Sequence, residues 1–111
     1  MSADCIFCNI VKGFERTEMV LEGESFVAFR DQYPKADTHL LVIPREHHEH
    51  LDAFLAAEPS GADALFHFLR EVTDAANVTG SYRLLTNCGA DAGQVIGHLH
   101  FHVLAGELAA F

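Results

Sequence analysis

The most regular pattern in the sequence is Gly97-His98-Leu99-His100-Phe101-His102-Val103-Leu104. Histidines alternate in it with leucine, phenylalanine and valine, and a β-strand has a side-chain period of two. The alternation predicts a strand with His98, His100 and His102 on one face and the apolar residues in a core. Successive histidines would lie about 6.6 Å apart, so one phosphate-sized ligand could contact more than one imidazole.

A structural interpretation of these histidines has to be weighed first. A single histidine on a strand face is more often a structural or surface residue than a catalytic one. Three in strict alternation favour a shared function. The intervening residues are those of a buried strand, which excludes a histidine tag.

Length and composition place the chain among ordinary globular proteins. Its 111 residues, half of them hydrophobic, predict a single domain over residues 1–111 with a substantial core. A net charge of -9, with only seven Lys and Arg, argues against a nucleic acid partner. No run of eighteen apolar residues and no secretory signal is present, so we expect a cytoplasmic protein without a membrane partner. A small phosphorylated ligand remains compatible with this composition.

Three cysteines do not make a disulfide framework. Cys5 and Cys8 form a Cys-x-x-Cys pair, which in a cytosolic chain indicates half of a zinc site or a redox pair. A zinc site needs four ligands, so the other two must be sought among the histidines. Cys88 is interpreted as a small packed residue.

The remaining pattern predicts five strands and two helices. Strands are expected over residues 19–22, 25–31, 39–44, 81–87 and 97–104, a short helix over 5–13, one helical turn over 51–55, and a long amphipathic helix from 59 to about 77. The polar segment 45–50 is expected to be an exposed connection from which one histidine is recruited. Strands joined mostly by short turns favour a meandering antiparallel sheet of the α+β class, with one long and one short helix.

The combined motifs resemble a known family. They are Thr38-His39-Leu40-Leu41-Val42-Ile43-Pro44, then Asn87-x-Gly89-x-x-Ala92-Gly93-Gln94, then His98-x-His100-x-His102-x-Leu104. In this order they resemble the histidine triad (HIT) family of nucleotide hydrolases and transferases, and most closely its Hint branch, over Cys5 to about Gly106. The resemblance implies a HIT-like fold, a homodimer whose sheets join, and one nucleoside monophosphate site per protomer.

The resemblance also implies catalytic roles. His100 matches the nucleophile, whose attack on the α-phosphorus forms a nucleotidyl-histidine that water then hydrolyses. His98 and His102 match the flanking triad members, which orient the nucleophile and donate hydrogen bonds near the phosphate. His39 matches the upstream histidine that supports the triad.

Six further residues match positions around the bound nucleotide. Asp31 matches the acid that binds the ribose hydroxyls, and the others are Asn87 and Gln94 near the ribose-phosphate and Phe7, Ile10 and Phe29 around the purine. Without the family resemblance, Asp31 would be interpreted as a strand-end residue and Asn87 as a turn former. Phe7, Ile10 and Phe29 would be interpreted as core residues. The family resemblance favours binding roles.

A structural zinc site is implied as well. Bacterial relatives with Cys-x-x-Cys bind Zn²⁺ through ligands that here would be Cys5, Cys8, His47 and His98, and His48 could replace His47. All four positions would be filled by protein, so the ion would stabilise the fold and no catalytic metal is expected.

Three features of the sequence differ from the pattern of the Hint branch. Val95 stands where Hint-type members have a serine that can hydrogen-bond the leaving group, and valine has no donor. Gly97 stands where a larger residue is common, and the chain ends at Phe111 without a longer C-terminal tail. Substrate preference is therefore not copied from a relative.

Two classes of function follow from these observations. The first is a hydrolase that cleaves nucleoside 5′-phosphoramidates or related nucleotide conjugates to give a nucleoside monophosphate. Dinucleoside polyphosphate hydrolysis and nucleotidyl transfer are alternatives within that class. The second is a nucleotide-binding or partner-binding protein with little turnover, which only the valine at position 95 favours.

Overall fold

The computed structural model describes residues 5–107. The predicted short and long helices and all five strands are present. The elements in chain order are α1 (Ile6–Val11), β1 (Met19–Glu22), β2 (Phe26–Arg30), β3 (Thr38–Pro44), α2 (Leu51–Ala57), α3 (Gly61–Ala75), β4 (Arg83–Leu85), a 3₁₀ turn (Ala90–Ala92) and β5 (Phe101–Ala105). The predicted helical turn at 51–55 is the seven-residue helix α2.

The five strands form one antiparallel sheet in the order β1-β2-β3-β5-β4. This confirms the α+β class and the five-stranded antiparallel sheet. The order departs from a simple meander because β5 lies between β3 and β4. Both of those strands are antiparallel to β5 and hence parallel to each other. Parallel strands need a long crossover connection, which α2 and α3 supply.

The strand predicted over 97–104 begins later than expected. β5 starts at Phe101, and the backbone before it makes hydrogen bonds to groups outside the sheet ladder. The amide of Leu99 donates to the carbonyl of His48 at 2.7 Å, and the hydroxyl of Thr86 donates to the carbonyl of His100 at 2.7 Å. His98 and His100 therefore lie in the segment that leads into the strand, and only His102 lies within it.

The sheet separates two hydrophobic clusters. Leu99, Phe101 and Val103 are buried in the first, between the sheet and α3, as the alternation predicts. The second lies on the opposite face, where α1 covers the centre of the sheet with Phe7 and Ile10. The central strands β2 and β3 contribute alternate residues to each cluster, so they are buried on both faces.

The long helix α3 covers one face because its apolar residues recur at helical spacing. Leu65, Phe68, Leu69 and Val72 are buried against the sheet. Burial of each such side chain contributes about 1.5–3 kcal/mol relative to exposure. Because α3 covers this face, His39 of β3 and His102 of β5 lie on the opposite face of the sheet. No helix within residues 5–107 has the length and apolar character needed to cross a membrane.

Candidate functional site

A cluster of histidines lies on the sheet face opposite α3. In β3, Leu40 and Val42 point toward α3, so His39 points to the other face. In β5 the same alternation turns His102 to that face. Leu41 and His102 are paired across the two strands, which places His39 on the diagonal from His102. The Nε2 atom of His39 and the Nδ1 atom of His102 are 2.9 Å apart.

The partners of these two rings assign their protons. The backbone amide of Lys35 donates to Nδ1 of His39 at 3.1 Å, so the proton of a neutral His39 ring is on Nε2. That proton is donated to Nδ1 of His102, which leaves the proton of His102 on its own Nε2. Oδ2 of Asp31 lies 3.5 Å from Nε2 of His39.

Burial keeps both rings neutral. It lowers the pKa of His102 to about 4, and the nearby His100 and His39 lower this pKa further against the opposing effect of Asp31. Burial also lowers the pKa of His39, and the carboxylate of Asp31 offsets part of that effect. At neutral pH the Lys35 amide therefore donates to His39, and His39 donates in turn to His102.

His100 is oriented by the residue two positions before it. Its Nδ1 lies 2.9 Å from the carbonyl oxygen of His98, and a carbonyl only accepts, so Nδ1 carries the proton. In the neutral ring Nε2 then holds a lone pair. The ring packs against Phe7 of α1, with centroids 5.1 Å apart, and against His102 at 5.2 Å. The buried His100 ring is thus held in one orientation next to the His39–His102 pair.

The Cys-x-x-Cys pair and two histidines form a separate cluster. One ligand atom from each of Cys5, Cys8, His47 and His98 lies within 4.8 Å of the others, a group that could bind a metal ion. Nδ1 of His98 is 3.3 Å from Sγ of Cys5 and 3.5 Å from Sγ of Cys8, and Nδ1 of His47 is 3.2 Å from Sγ of Cys8. Ligands around a tetrahedral Zn²⁺ place sulfur and nitrogen roughly 3.6 Å apart. The donor set and its spacing fit that ion.

The surroundings of His98 suit a metal ligand. Its Nε2 lies 3.0 Å from the carbonyl oxygen of Pro44 and donates to it, so the lone pair is on Nδ1, toward the two sulfurs. The ring is fully buried, and burial lowers its pKa to about 4, so it is neutral. Burial and the neighbouring Cys5 raise the pKa of Cys8 to about 11, so metal binding must displace a proton from that thiol.

The structure distinguishes the two adjacent histidines that could complete this cluster. His47 contacts Cys8 and lies edge-on to His98, with ring centroids 4.9 Å apart. His48 points away, packs on Phe54 and faces Glu46 and Glu58. The cluster therefore contains His47 and not His48.

A pocket of about 470 Å³ opens beside the histidines. Four of the residues predicted to contact the nucleotide line it, namely Phe7, Ile10, Phe29 and Asp31. Phe7 joins the pocket to the site, since its ring contacts Phe29 in the pocket and His100 in the cluster. Its lining combines apolar side chains with charged ones such as Asp31 and Lys35, which is typical of a small-molecule site.

Asn87 and Gln94 are not among the residues that line this pocket. Asn87 is half-buried and follows β4, while the Gln94 side chain holds its own loop together. Its Oε1 accepts from the amide of Gly89 at 2.8 Å, and its Nε2 donates to the carbonyls of Glu49 and Ile96 at 2.5 and 2.9 Å. Their contacts with a nucleotide remain predictions.

Two of the departures from the Hint branch, Val95 and Gly97, lie within residues 5–107, and Phe111 lies outside the described residues. Val95 lines the pocket and is 93% exposed, so it supplies no hydrogen bond and little packing. A Cβ atom added at Gly97 would meet nothing within 4 Å, so the space for a larger side chain exists.

Two positioning groups could not be foreseen from residue types. The Lys35 amide orients His39, and the Pro44 carbonyl orients His98. Every residue except proline has a backbone amide and every residue has a carbonyl, so no signal in the sequence marks these two.

Comparisons with known proteins agree with this geometry. The family model described as "Scavenger mRNA decapping enzyme C-term binding", a HIT-like domain, matches residues 4–110. A 13.2 kDa HIT-like protein of Azospirillum brasilense is 42% identical over 104 residues, which cover 92% of this chain and 85% of that one.

Solved structures give the same result. A histidine triad protein from Clostridium difficile has a TM-score of 0.90 and 31% identity, over 100% of this chain and 97% of the other. A HIT family hydrolase from Clostridium thermocellum has a TM-score of 0.88 and 31% identity, over 96% and 94%. The chain belongs to the histidine triad family.

Proposed function

We propose that this protein is a hydrolase that cleaves the bond between the α-phosphorus and the leaving group of nucleoside 5′-phosphoramidates or related nucleotide conjugates. The product is a nucleoside monophosphate. The observation that carries the proposal is the hydrogen bond from Nδ1 of His100 to the carbonyl of His98, which leaves a lone pair on Nε2 of His100. The name of the Clostridium thermocellum neighbour, a hydrolase, agrees with it.

Nε2 of His100 is the nucleophile in this proposal. It attacks the α-phosphorus, a phosphorus–nitrogen bond forms to the imidazole, and the bond to the leaving amine breaks. The leaving amine takes up a proton from solvent. Water then attacks the phosphorus of the nucleotidyl-imidazole and releases a proton to solvent, the phosphorus–nitrogen bond to Nε2 breaks, and the nucleoside monophosphate departs with the His100 ring restored.

His102 is the donor we assign to the leaving group or a phosphate oxygen. Its proton lies on Nε2 because His39 donates to its Nδ1. A neutral donor beside the nucleophile can stabilise charge that develops in the transition state. His98 acts on this chemistry through its carbonyl, since its ring belongs to the cysteine cluster.

The pocket beside the cluster is assigned to the nucleoside. Phe7, Ile10 and Phe29 supply apolar walls for the base, and Asp31 in the same pocket supplies a carboxylate for the ribose hydroxyls. Asp31 already accepts a hydrogen bond from the amide of Tyr33 at 2.8 Å, which orients it. We assign Asn87 and Gln94 to the loop that closes the phosphate end.

We assign Zn²⁺ to the Cys5, Cys8, His47 and His98 cluster. When bound there, the ion joins the N-terminal segment to the strand that carries the triad. Four protein ligands fill a tetrahedral site, so it supplies stability.

The proposed assembly is a homodimer. The family resemblance implies it, and the sheet ends at β4, an edge strand that can pair with a second copy. Phe66 on α3 is 60% exposed and Tyr82 before β4 is 43% exposed, which suits side chains covered by a partner subunit.

A binding protein with little turnover is the second candidate, because Val95 offers no hydrogen bond to a leaving group. The first test is product analysis with adenosine 5′-phosphoramidate, diadenosine polyphosphate and AMP. Release of AMP from the phosphoramidate, lost in His100→Ala and kept in His67→Ala, supports the hydrolase. His67 is the matched control because it is exposed on α3, on the other face of the sheet. AMP binding without turnover of either substrate would favour the binding protein.

A further inference from the structure

We propose that Glu46, His48 and Glu58 form a second binding site, for a divalent metal ion that takes nitrogen and oxygen ligands. The cluster lies outside both the histidine triad and the cysteine cluster. One ligand atom from each residue lies within 4.8 Å of the others. A metal at this place would connect the segment that enters α2 to the residue that ends it.

The distances leave room for an ion with small movements. Nε2 of His48 lies 3.6 Å from Oε2 of Glu58 and 3.9 Å from Oε2 of Glu46. Ligands at about 2.1 Å from one ion lie roughly 3.0–3.4 Å apart. The side chains of Glu46 and Glu58 are 78% and 42% exposed, so their carboxylates can shift by that amount.

His48 is the fixed member of the cluster. Its side chain is only 13% exposed, its ring packs edge-on against Phe54 with centroids 5.4 Å apart, and its carbonyl accepts from the amide of Leu99. Neither ring nitrogen forms a hydrogen bond with any residue in the range 5–107. The rings of His39, His98, His100 and His102 differ, since each has a close hydrogen-bond partner. A lone pair of His48 is therefore available to a metal.

The surrounding charge favours a cation. The cluster borders a cavity of about 470 Å³ that Glu24 and Ser25 also line, in a chain with a net charge of -9. Arg45 is the cation at this cavity, but its guanidinium is directed elsewhere. Nε of Arg45 donates to the carbonyl of Gly23 at 2.8 Å, and an Nη atom lies 3.7 Å from Glu22.

A neighbouring cluster of His50, Asp52 and Cys88 is less suited to an ion. Nδ1 of His50 accepts the amide of Ala53 at 3.2 Å and so caps α2. A metal on the other ring nitrogen would require the proton to move to Nδ1, where it would face that amide. Metal binding there would cost the helix its cap.

Mn²⁺ is the probe that separates this site from the cysteine cluster, because it prefers carboxylate and imidazole ligands over thiolates. We would titrate the ¹⁵N-labelled full chain with Mn²⁺, follow paramagnetic broadening by NMR, and count bound ions by equilibrium dialysis. The expected result is one saturable site, with broadening centred on the amides of residues 46–61.

Three variants test the ligands. His48→Gln, Glu58→Gln and Glu46→Gln should each weaken Mn²⁺ binding at least about tenfold, as expected when a metal site loses a supporting group. Glu46 is exposed, so its variant tests the site without a packing change. Asp63→Asn is the matched control, because Asp63 lies 3.5 Å from His67 on α3 but has no third ligand there.

Three outcomes would overturn the proposal. They are the absence of saturable binding at millimolar Mn²⁺, unchanged affinity in all three variants, and broadening centred on residues 31, 39 and 102 or on residue 88. If no saturable binding were found, His48 would be an imidazole paired with the carboxylates of Glu46 and Glu58.

Discussion

Nδ1 of His100 and the carbonyl oxygen of His98 lie 2.9 Å apart, so a backbone atom of one triad histidine sets the proton position of another. The ring of His98 faces Cys5 and Cys8 instead.

The two triad positions, His98 and His100, should therefore respond differently to substitution. In His98→Ala the carbonyl remains, so we expect lower thermal stability and metal content, with turnover per folded molecule reduced far less than in His100→Ala. The latter should lose at least about a thousandfold in kcat. Equal losses of kcat in the two variants would show that the His98 ring itself takes part in the reaction.

The His39–His102 contact predicts strong coupling in a double-mutant cycle. His39→Ala removes the donor that fixes the proton of His102. We expect kcat/KM to fall by about 10- to 100-fold, less than the roughly 10²- to 10⁴-fold of a group that acts on the substrate directly, because His39 acts through His102. In the His102→Ala background the same change should cost little more, because the residue that it orients is already absent. Additive losses in kcat/KM would mean that the two rings act independently.

The neutral state of the half-buried His102 ring predicts how stability depends on pH. Its pKa is about 4 in the folded chain and about 6.5 when unfolded, so between these values the unfolded chain binds more protons. The free energy of unfolding should therefore fall as pH is lowered from about 6.5 to 4. Urea unfolding at several pH values, compared between the wild type and His102→Gln, measures this contribution. The fall should be shallower in the variant, and identical slopes would assign the effect to other groups.

The cysteine cluster predicts a loss of stability that is separate from catalysis. Cys5→Ser should lose bound zinc and lower Tm by several degrees, since about 4–8 °C corresponds to 1 kcal/mol in a domain of this size. Activity per folded molecule should change less. Cys88→Ser is the matched control, because Cys88 lies outside the cluster, where its Sγ is 3.9 Å from Oδ2 of Asp52. Metal analysis and thermal melts of both variants test the prediction, and equal zinc contents would contradict it.

Much of the fold was predictable because periodicity reports burial. The alternation around Leu99, Phe101 and Val103 correctly gave their core face, and the helical spacing of Leu65 to Val72 gave the packing face of α3. The position of β5 between β3 and β4 was not predictable in this way. Periodicity shows which face of a strand is buried, but strand order depends on the path of the α2–α3 connection.

The candidate site was predictable in its residue types and less so in its geometry. His39, His100 and His102 lie together in the structure, as the family motifs implied. Cys5, Cys8, His47 and His98 form a second cluster, which the motifs also implied. His47, and not His48, belongs to the cysteine cluster because His48 packs against Phe54. The sequence alone could not distinguish the two, since they are neighbouring residues of the same type. The role of the Lys35 amide was hidden because backbone donors carry no residue signature.

A single-turnover reaction of the purified protein with an adenosine 5′-phosphoramidate, quenched and analysed by intact mass, shows whether Nε2 of His100 is the nucleophile. We expect release of AMP together with a transient adenylyl adduct that maps to His100 and is absent from His100→Ala. Release of AMP at the wild-type rate from His100→Ala, or turnover without any adduct on His100, would contradict the assignment of its Nε2 as the nucleophile.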